Sequence, residues 1–282
     1  MSQPRPLTDR IALTRQRQRA ARQGPAMFLH DEAVFEVQER LIDVNRTFTS
    51  MAIVTGHREF WAKAFPNAVI VPDEDTLALE PEQFELVVHA MALHWANDPV
   101  GQLVQCRRAL KPDGLFIAAF LGGQTLVELR AALSEAEASL TGGLAPRVAP
   151  MGEIRDLGGL LQRAGLALPV ADSFKRGVTY GSPMGLLRDL RAMGEGNALN
   201  DRHRKSPPRA LFSRMERIYS QHYATEDNRV SATFEMIFLT GWAPSETQQK
   251  PLQPGSATTR LADFLNTPEL GLDAKPVTGD KK

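Results

Sequence analysis

The stretch that most constrains this chain is FELVVHAMALHWANDPVGQLVQCRRALKPDGLFIAAFLGGQTLVELR, residues 84–130. Its opening run, residues 84–91, is short, apolar and β-branched at its centre, which predicts a strand buried on both faces of a parallel sheet. Asp98-Pro99 then reads as a helix start. The carboxylate accepts from free backbone N–H groups, and proline at the first helical position has no N–H to leave unpaired. The helix is predicted to run to about Leu110, with Val100, Leu103, Val104 and Leu110 near helical spacing and Arg107, Arg108 and Lys111 at its C-terminal end, where positive charge is favoured. Lys111-Pro112-Asp113-Gly114 stops the helix and turns the chain, and residues 115–120 form a second buried strand. A strand, helix, strand unit with right-handed crossover fixes the class as α/β.

In this order the segments F-E-L-V-V, L-H-W-A-N-D, L-K-P-D-G and G-G-Q-T-L-V-E-L-R resemble the second half of a class I S-adenosylmethionine-dependent methyltransferase domain. More narrowly they are similar to the family of the methyltransferase-like respiratory complex I assembly factor and its bacterial relatives. The likeness continues through GGLAPRVAP, RDLGGLLQRAG, LLRDLRAMGEGNAL, ATEDNRVSATFEMIFLTGW and PGSATT, roughly residues 10–259. The resemblance implies a Rossmann-like fold, methyl transfer from S-adenosylmethionine and, for the assembly factor, hydroxylation of an arginine in a complex I subunit. The implied partner is a protein substrate or a respiratory-complex subunit. Cofactor contact falls on Gly56, Asp73, Glu74, Ala90 and His94, and no catalytic residue is assigned.

Two departures from the family pattern lie upstream. Where the first strand and its nucleotide loop belong, the chain reads M-A-I-V-T-G-H-R-E-F-W, residues 51–61. Val54 stands where an acid is expected, and Arg58 and Phe60 fall where later glycines would be. A left-handed turn carrying such side chains is strained by ~1–3 kcal/mol, so weak or absent cofactor binding is the expectation. The second departure is a deletion. Between Gly56 and Phe84 there is one clear strand, residues 67–71, followed by Pro72-Asp73-Glu74-Asp75. Read forward, Asp73 or Glu74 sits at the ribose-binding tip of the second strand. Read backward, Asp73 is the adenine-contacting acid of the next one. An exposed acidic turn is the bland alternative. A sheet shortened by one strand and helix is the consequence.

The remainder predicts a segmented α/β chain. Residues 1–46 form an N-terminal helical segment, and its first 26 or so residues are arginine-rich and acid-poor as a transit peptide would be, although the resemblance places a similar segment in the mature domain. Asp31 is the expected cap of a helix carrying Val34, Phe35, Val37, Leu41 and Ile42. Residues 47–243 form the methyltransferase-like domain. Within it, Gly122-Gly123 either admits a ligand or makes a flexible turn ahead of a helix with Leu126, Leu129, Leu133, Ala136 and Leu140 inward. Gly165 ends a second helix, and a strand over residues 168–180 bends at Gly177. Two helices at about 183–223 form a lid or partner-binding insert before a last, antiparallel strand around Ala232, Phe234, Met236 and Phe238. Arg202-His203-Arg204-Lys205 reads as a solvated charge run, and residues 244–282 as a poorly ordered tail.

His94-Trp95, just past the central strand, is the best-placed polar and aromatic pair. It suits a ligand contact or a packed aromatic with a satisfied imidazole. Lysine plus arginine equals aspartate plus glutamate at 33 each, so overall charge favours neither nucleic acid nor a membrane surface. The single cysteine, Cys106, excludes an internal disulfide and a multi-cysteine metal cage, the histidines show no metal-ligand spacing, and Cys106 reads as a small core hydrophobe. No apolar run approaches the ~20 residues of a membrane span. A cytoplasmic protein, or a matrix protein in a mitochondrion, is the expectation.

Overall fold

The run Phe84–Ala90 is an interior strand of a six-stranded sheet in the computed structural model, which describes residues 5–248, 264 and 267. The strands are β1 (Met51–Thr55), β2 (Val69–Val71), β3 (Phe84–Ala90), β4 (Leu110–Gly122), β5 (Ala167–Tyr180) and β6 (Val230–Trp242). Across the sheet they run β2-β1-β3-β4-β6-β5. The first four are parallel, and β6 is antiparallel to both β4 and β5. The described helices are α1 (Arg10–Gln23), α2 (Phe28–Val44), α3 (Arg58–Ala64), α4 (Pro99–Ala109), α5 (Val127–Thr141), α6 (Ile154–Arg163), α7 (Pro183–Met193) and α8 (Arg209–Tyr223). A single 3-10 turn, Leu93–Trp95, follows β3.

The period of two along each strand divides the interior into two layers. Leu86, Val88 and Ala90 of β3 and Leu115, Ile117, Ala119 and Leu121 of β4 face a layer built with α2, α5, α7 and α8. Val87, Phe116, Ala118 and Phe120 face the opposite layer, which holds Leu103 and Cys106 of α4 and Leu161 of α6. Burial pushes the Cys106 thiol's pKa far above its ordinary range, so it is a neutral core side chain. Asp98 caps α4 by accepting from Gly101 N at 2.8 Å, with Pro99 at its first turn.

One strand, β2, lies between Gly56 and Phe84, so the sheet has the expected shortened form and ends at β2, where Val69 is exposed. β5 forms the other edge. Two of its charged side chains are tied down there, Asp172 to Arg40 and Arg176 to Glu32, and charge on this strand blunts the edge against further strand pairing.

Several local expectations are corrected. The second helix starts at Phe28, leaving Asp31 in its first turn rather than at its cap, and its face turns Phe35 and Ile42 to solvent. Leu140 is likewise exposed, because α5 is by then past the edge of its neighbours. Lys111-Pro112-Asp113-Gly114 turns within β4 rather than ahead of it, with Asp113 at φ 60°. Pairing of β5 with β6 continues through Gly177, and the irregularity lies between Ala167 and Val170. Gly122-Gly123 neither admits a ligand nor hangs free. A side chain there would collide with Ile237 and Glu235 of β6, and Glu235 accepts from Gln124 N at 2.8 Å. The tail beyond residue 248 lies outside the described residues, apart from 264 and 267.

Phe116 is fully buried between β4's neighbours and α4, so Phe116→Ala is expected to cost about 3–5 kcal/mol in urea unfolding, whereas Phe35→Ala, at an exposed position, should stay within about 0.5 kcal/mol.

Candidate functional site

Ligands of open α/β sheets bind outside the carboxyl ends of the strands. Here those ends bring Gly56, Asp73 and Ala90 together. Thr55 pairs with Ala90 and Val54 with Val71, so the loops after β1, β2 and β3 leave the sheet side by side. Asp73, two residues past β2, is buried, which excludes the exposed acidic turn and matches the forward reading of the sequence. Gln102 of α4 pins its loop by donating to the carbonyl of Glu74 at 2.6 Å, while its Oε1 lies 2.7 Å from His89 Nε2 of β3. The Glu74 side chain points to solvent and is not part of the cluster.

The space between Gly56 and Asp73 is filled by Arg17 of α1. Its Nη1 donates to both Asp73 oxygens, at 2.8 and 2.9 Å. Arg10, seven residues and two helical turns earlier, reaches the Asp73 backbone carbonyl and lies within 3.4 Å of its carboxylate. A Cβ placed on Gly56 would run into the Arg17 guanidinium, so this glycine receives a side chain of the same chain. The strain expected after Gly56 does not occur. No residue from 52 to 60 has positive φ, because α3 begins at Arg58 and the left-handed turn is dispensed with.

α1 is held on both sides. Ahead of it, Asp9 N donates to Ala198 O at 2.8 Å and Asn200 N to Leu7 O at 2.8 Å. Asp9 caps α1 through Ala12 N and also receives Arg202 at 3.0 Å, so the supposed solvated run at 202–205 is partly engaged. Along its length, Gly194, at φ +82°, and Gly196 let the helix approach closely. A Cβ on Gly194 would lie 3.1 Å from Arg17 Cα, and one on Gly196 2.9 Å from Gln16 Cδ.

His94 and Trp95 belong to the same region. Trp95 Nε1 donates to Glu195 Oε2 at 2.7 Å, and His94 Nε2 lies 3.1 Å from the same oxygen. Burial opposes ionisation of Glu195, but His94, Arg17 and Trp95 hold its pKa down to about 2. Behind Arg17, His30 accepts from Trp61 Nε1 at 3.0 Å and packs its ring edge-on to His57, with centroids 4.4 Å apart. Arg17 Nε and Nη2, His57 Nε2 and His94 Nδ1 are buried without hydrogen-bond partners among the described residues.

Three of the predicted residues thus meet, Gly56, Asp73 and Ala90, with His94 one layer behind and Glu74 apart. Arg17 and Glu195 were missed. The signal for Arg17 was present: Arg10, Leu13, Arg17 and Ala20 follow helical spacing, which puts arginines on the buried stripe of an amphipathic helix.

The residues do not fit S-adenosylmethionine in this arrangement. Val54, fully buried, offers no hydrogen bond at the strand end, and the Gly56 face and Asp73 are both engaged by arginine.

A family model described as a methyltransferase domain matches residues 35–118. With the β2-β1-β3-β4-β6-β5 order and its lone antiparallel strand, it defines a class I methyltransferase fold lacking one edge strand. Arginine-hydroxylase NDUFAF5, mitochondrial, of Danio rerio is 36% identical over 238 residues, covering 84% of this chain and 72% of that protein. Its Rattus norvegicus counterpart is 32% identical over 290 residues, covering 91% and 83%. A malonyl-[acyl-carrier protein] O-methyltransferase of Laribacter hongkongensis is 33% identical, covering 70% and 63%. Among solved structures, the YcgJ protein of Bacillus subtilis aligns at 11% identity and a TM-score of 0.49 over 77% of this chain and 100% of that one, a likeness too coarse to place any side chain. The chain belongs to the NDUFAF5 family of methyltransferase-like proteins.

Two outcomes are expected. Asp73→Ala strands two guanidinia and should cost about 3–5 kcal/mol in urea unfolding, while Arg17→Met, which leaves Arg10 on Asp73, should cost less. The second concerns pH. Burial, then Arg17, lowers the His57 pKa from its ordinary 6.5 to about 4. The unfolded chain therefore binds more protons between these values, so this stability is complete above about 6.5 and lost as pH falls toward 4. Denaturation at pH 5 should show about 2 kcal/mol less stability than at pH 7 from His57 alone, a difference that His57→Gln reduces.

Proposed function

We propose that this chain is a methyltransferase-like assembly protein of the NDUFAF5 type, which binds a respiratory-complex subunit and works without S-adenosylmethionine. The observation that carries the reading is Arg17 seated between Gly56 and Asp73, where the resemblance puts the cofactor. A ligand entering there must first displace a buried ion pair. At about 3–5 kcal/mol, that displacement lowers apparent affinity by roughly 10²–10⁴-fold. The outer face of α1 exposes Arg15, Arg19 and Arg22, a basic surface suited to an acidic patch on a protein partner. Among the described residues no helix is long and apolar enough to cross a membrane, in keeping with action in a cytoplasm or, like the relatives named mitochondrial, a matrix.

A second reading keeps the enzyme. Gly56, Asp73 and Ala90 still converge, so withdrawal of α1 would reopen a pocket for methyl transfer or for the hydroxylation that the relatives' name states. Titration calorimetry with S-adenosylmethionine and S-adenosylhomocysteine separates the two. The assembly reading expects no binding in the micromolar range by the full chain, together with reduced assembled complex I in cells lacking it. Micromolar binding abolished by Asp73→Asn, or unchanged complex I levels, would refute it.

A further inference from the structure

A second cavity, of about 410 Å³, opens beyond His94 and Trp95, between the end of β4, α5 and the α7–α8 region. Its walls include Leu121, Leu126, Leu129, Leu133, Leu190 and Phe212. Leu126 holds φ 55° at the entry to α5, a left-handed conformation that a leucine adopts only when its surroundings impose it. The polar lining is dominated by one sign. Arg19 and Arg191 are exposed and have no hydrogen-bond or ion-pair partner among the described residues. Arg147 and Arg202 are held by Glu137 and Asp9. The one carboxylate in the lining, Glu195, is engaged by His94 and Trp95, and His94 itself carries a buried, unpartnered Nδ1.

We propose that this cavity binds a single-chain amphipathic carboxylate of the fatty-acid type, its tail along the leucine wall and its head toward Arg19 and Arg191. The volume lies at the small end of ligand cavities, ~300–1,000 Å³, which suits one chain rather than the paired chains of a membrane lipid. The planar guanidinium fork matches a carboxylate head in two parallel hydrogen bonds. Charge decides against a cationic occupant. An arginine side chain entering here would meet four guanidinia and find the only lining carboxylate already taken. Gly56, Asp73 and Arg17 do not line the cavity, and of the expected cofactor contacts only His94 borders it.

Calorimetric titration of the full chain with decanoate, decyl phosphate and decyltrimethylammonium, each below its micellar concentration, provides the test. Decanoate should bind, the cation at least tenfold more weakly, and Arg19→Glu with Arg191→Glu should weaken decanoate at least tenfold. Both positions are exposed, so the paired variant should keep the fold, which its circular dichroism checks. Leu129→Trp should block the tail, whereas Arg15→Glu, on α1 but outside the cavity, should leave binding unchanged. No decanoate binding, equal binding of the cation, or indifference to the paired arginine change would overturn the proposal. Decyl phosphate binding tenfold tighter than decanoate would overturn the carboxylate head.

Discussion

A guanidinium seated on a glycine face and a buried carboxylate ties together parts of the chain that the sheet alone leaves apart. Arg17 brings α1 onto the ends of β1 and β2, and α1 in turn lies against the loop that carries Glu195. Buried charges persist only when paired and hydrogen-bonded, so Arg17 and Asp73 oblige each other's placement. The two glycines flanking Glu195 have the matching role, because side chains there would push the helix off the site. The ends of β1 and β2 thus form a socket for a segment of the same polypeptide.

The shortened sheet belongs to the same change. With one strand fewer beyond β2, the pocket lacks the wall that further strand and helix would build, and the Pro72–Asp75 loop is braced instead by α4 through Gln102 and Gln105. Asp73 faces α1 and is met there by Arg10 and Arg17. Val54 itself belongs to the apolar layer of Ala52, Val71 and Val87.

The architecture was largely legible in the sequence because residues 84–122 carry unambiguous local signals: β-branched runs, an Asp-Pro helix start and turn residues that agree with one another. The shortened sheet could be counted from the short span between Gly56 and Phe84 set against the pattern of the resembled family. The site was legible only in part. Gly56, Asp73 and His94 could be placed because each follows a strand, but Arg17 is separated from Asp73 by 56 positions, and nothing in local pattern names its partner. Its burial was encoded in helical spacing and masked by the arginines around it. Glu195 was harder still, since Gly194-Glu195-Gly196 reads as a helix break, and its pairing with His94 spans 101 positions. Asp31 and the Gly122-Gly123 pair were misjudged for the converse reason: their local signals are real, but tertiary packing set a different helix start and closed the glycine pair against β6.

The seam between residues 7–9 and residues 198–200 has a temporal meaning. α1 leaves the ribosome before the sheet does, yet the backbone partners of the residues ahead of it are made nearly two hundred residues later, and contacts of such sequence separation form late. During synthesis the β1–β3 ends and Asp73 exist before the loop that clasps α1 against them. The seam that clasps α1 can therefore close only after residues 198–200 have been made, which puts the securing of this helix late in synthesis.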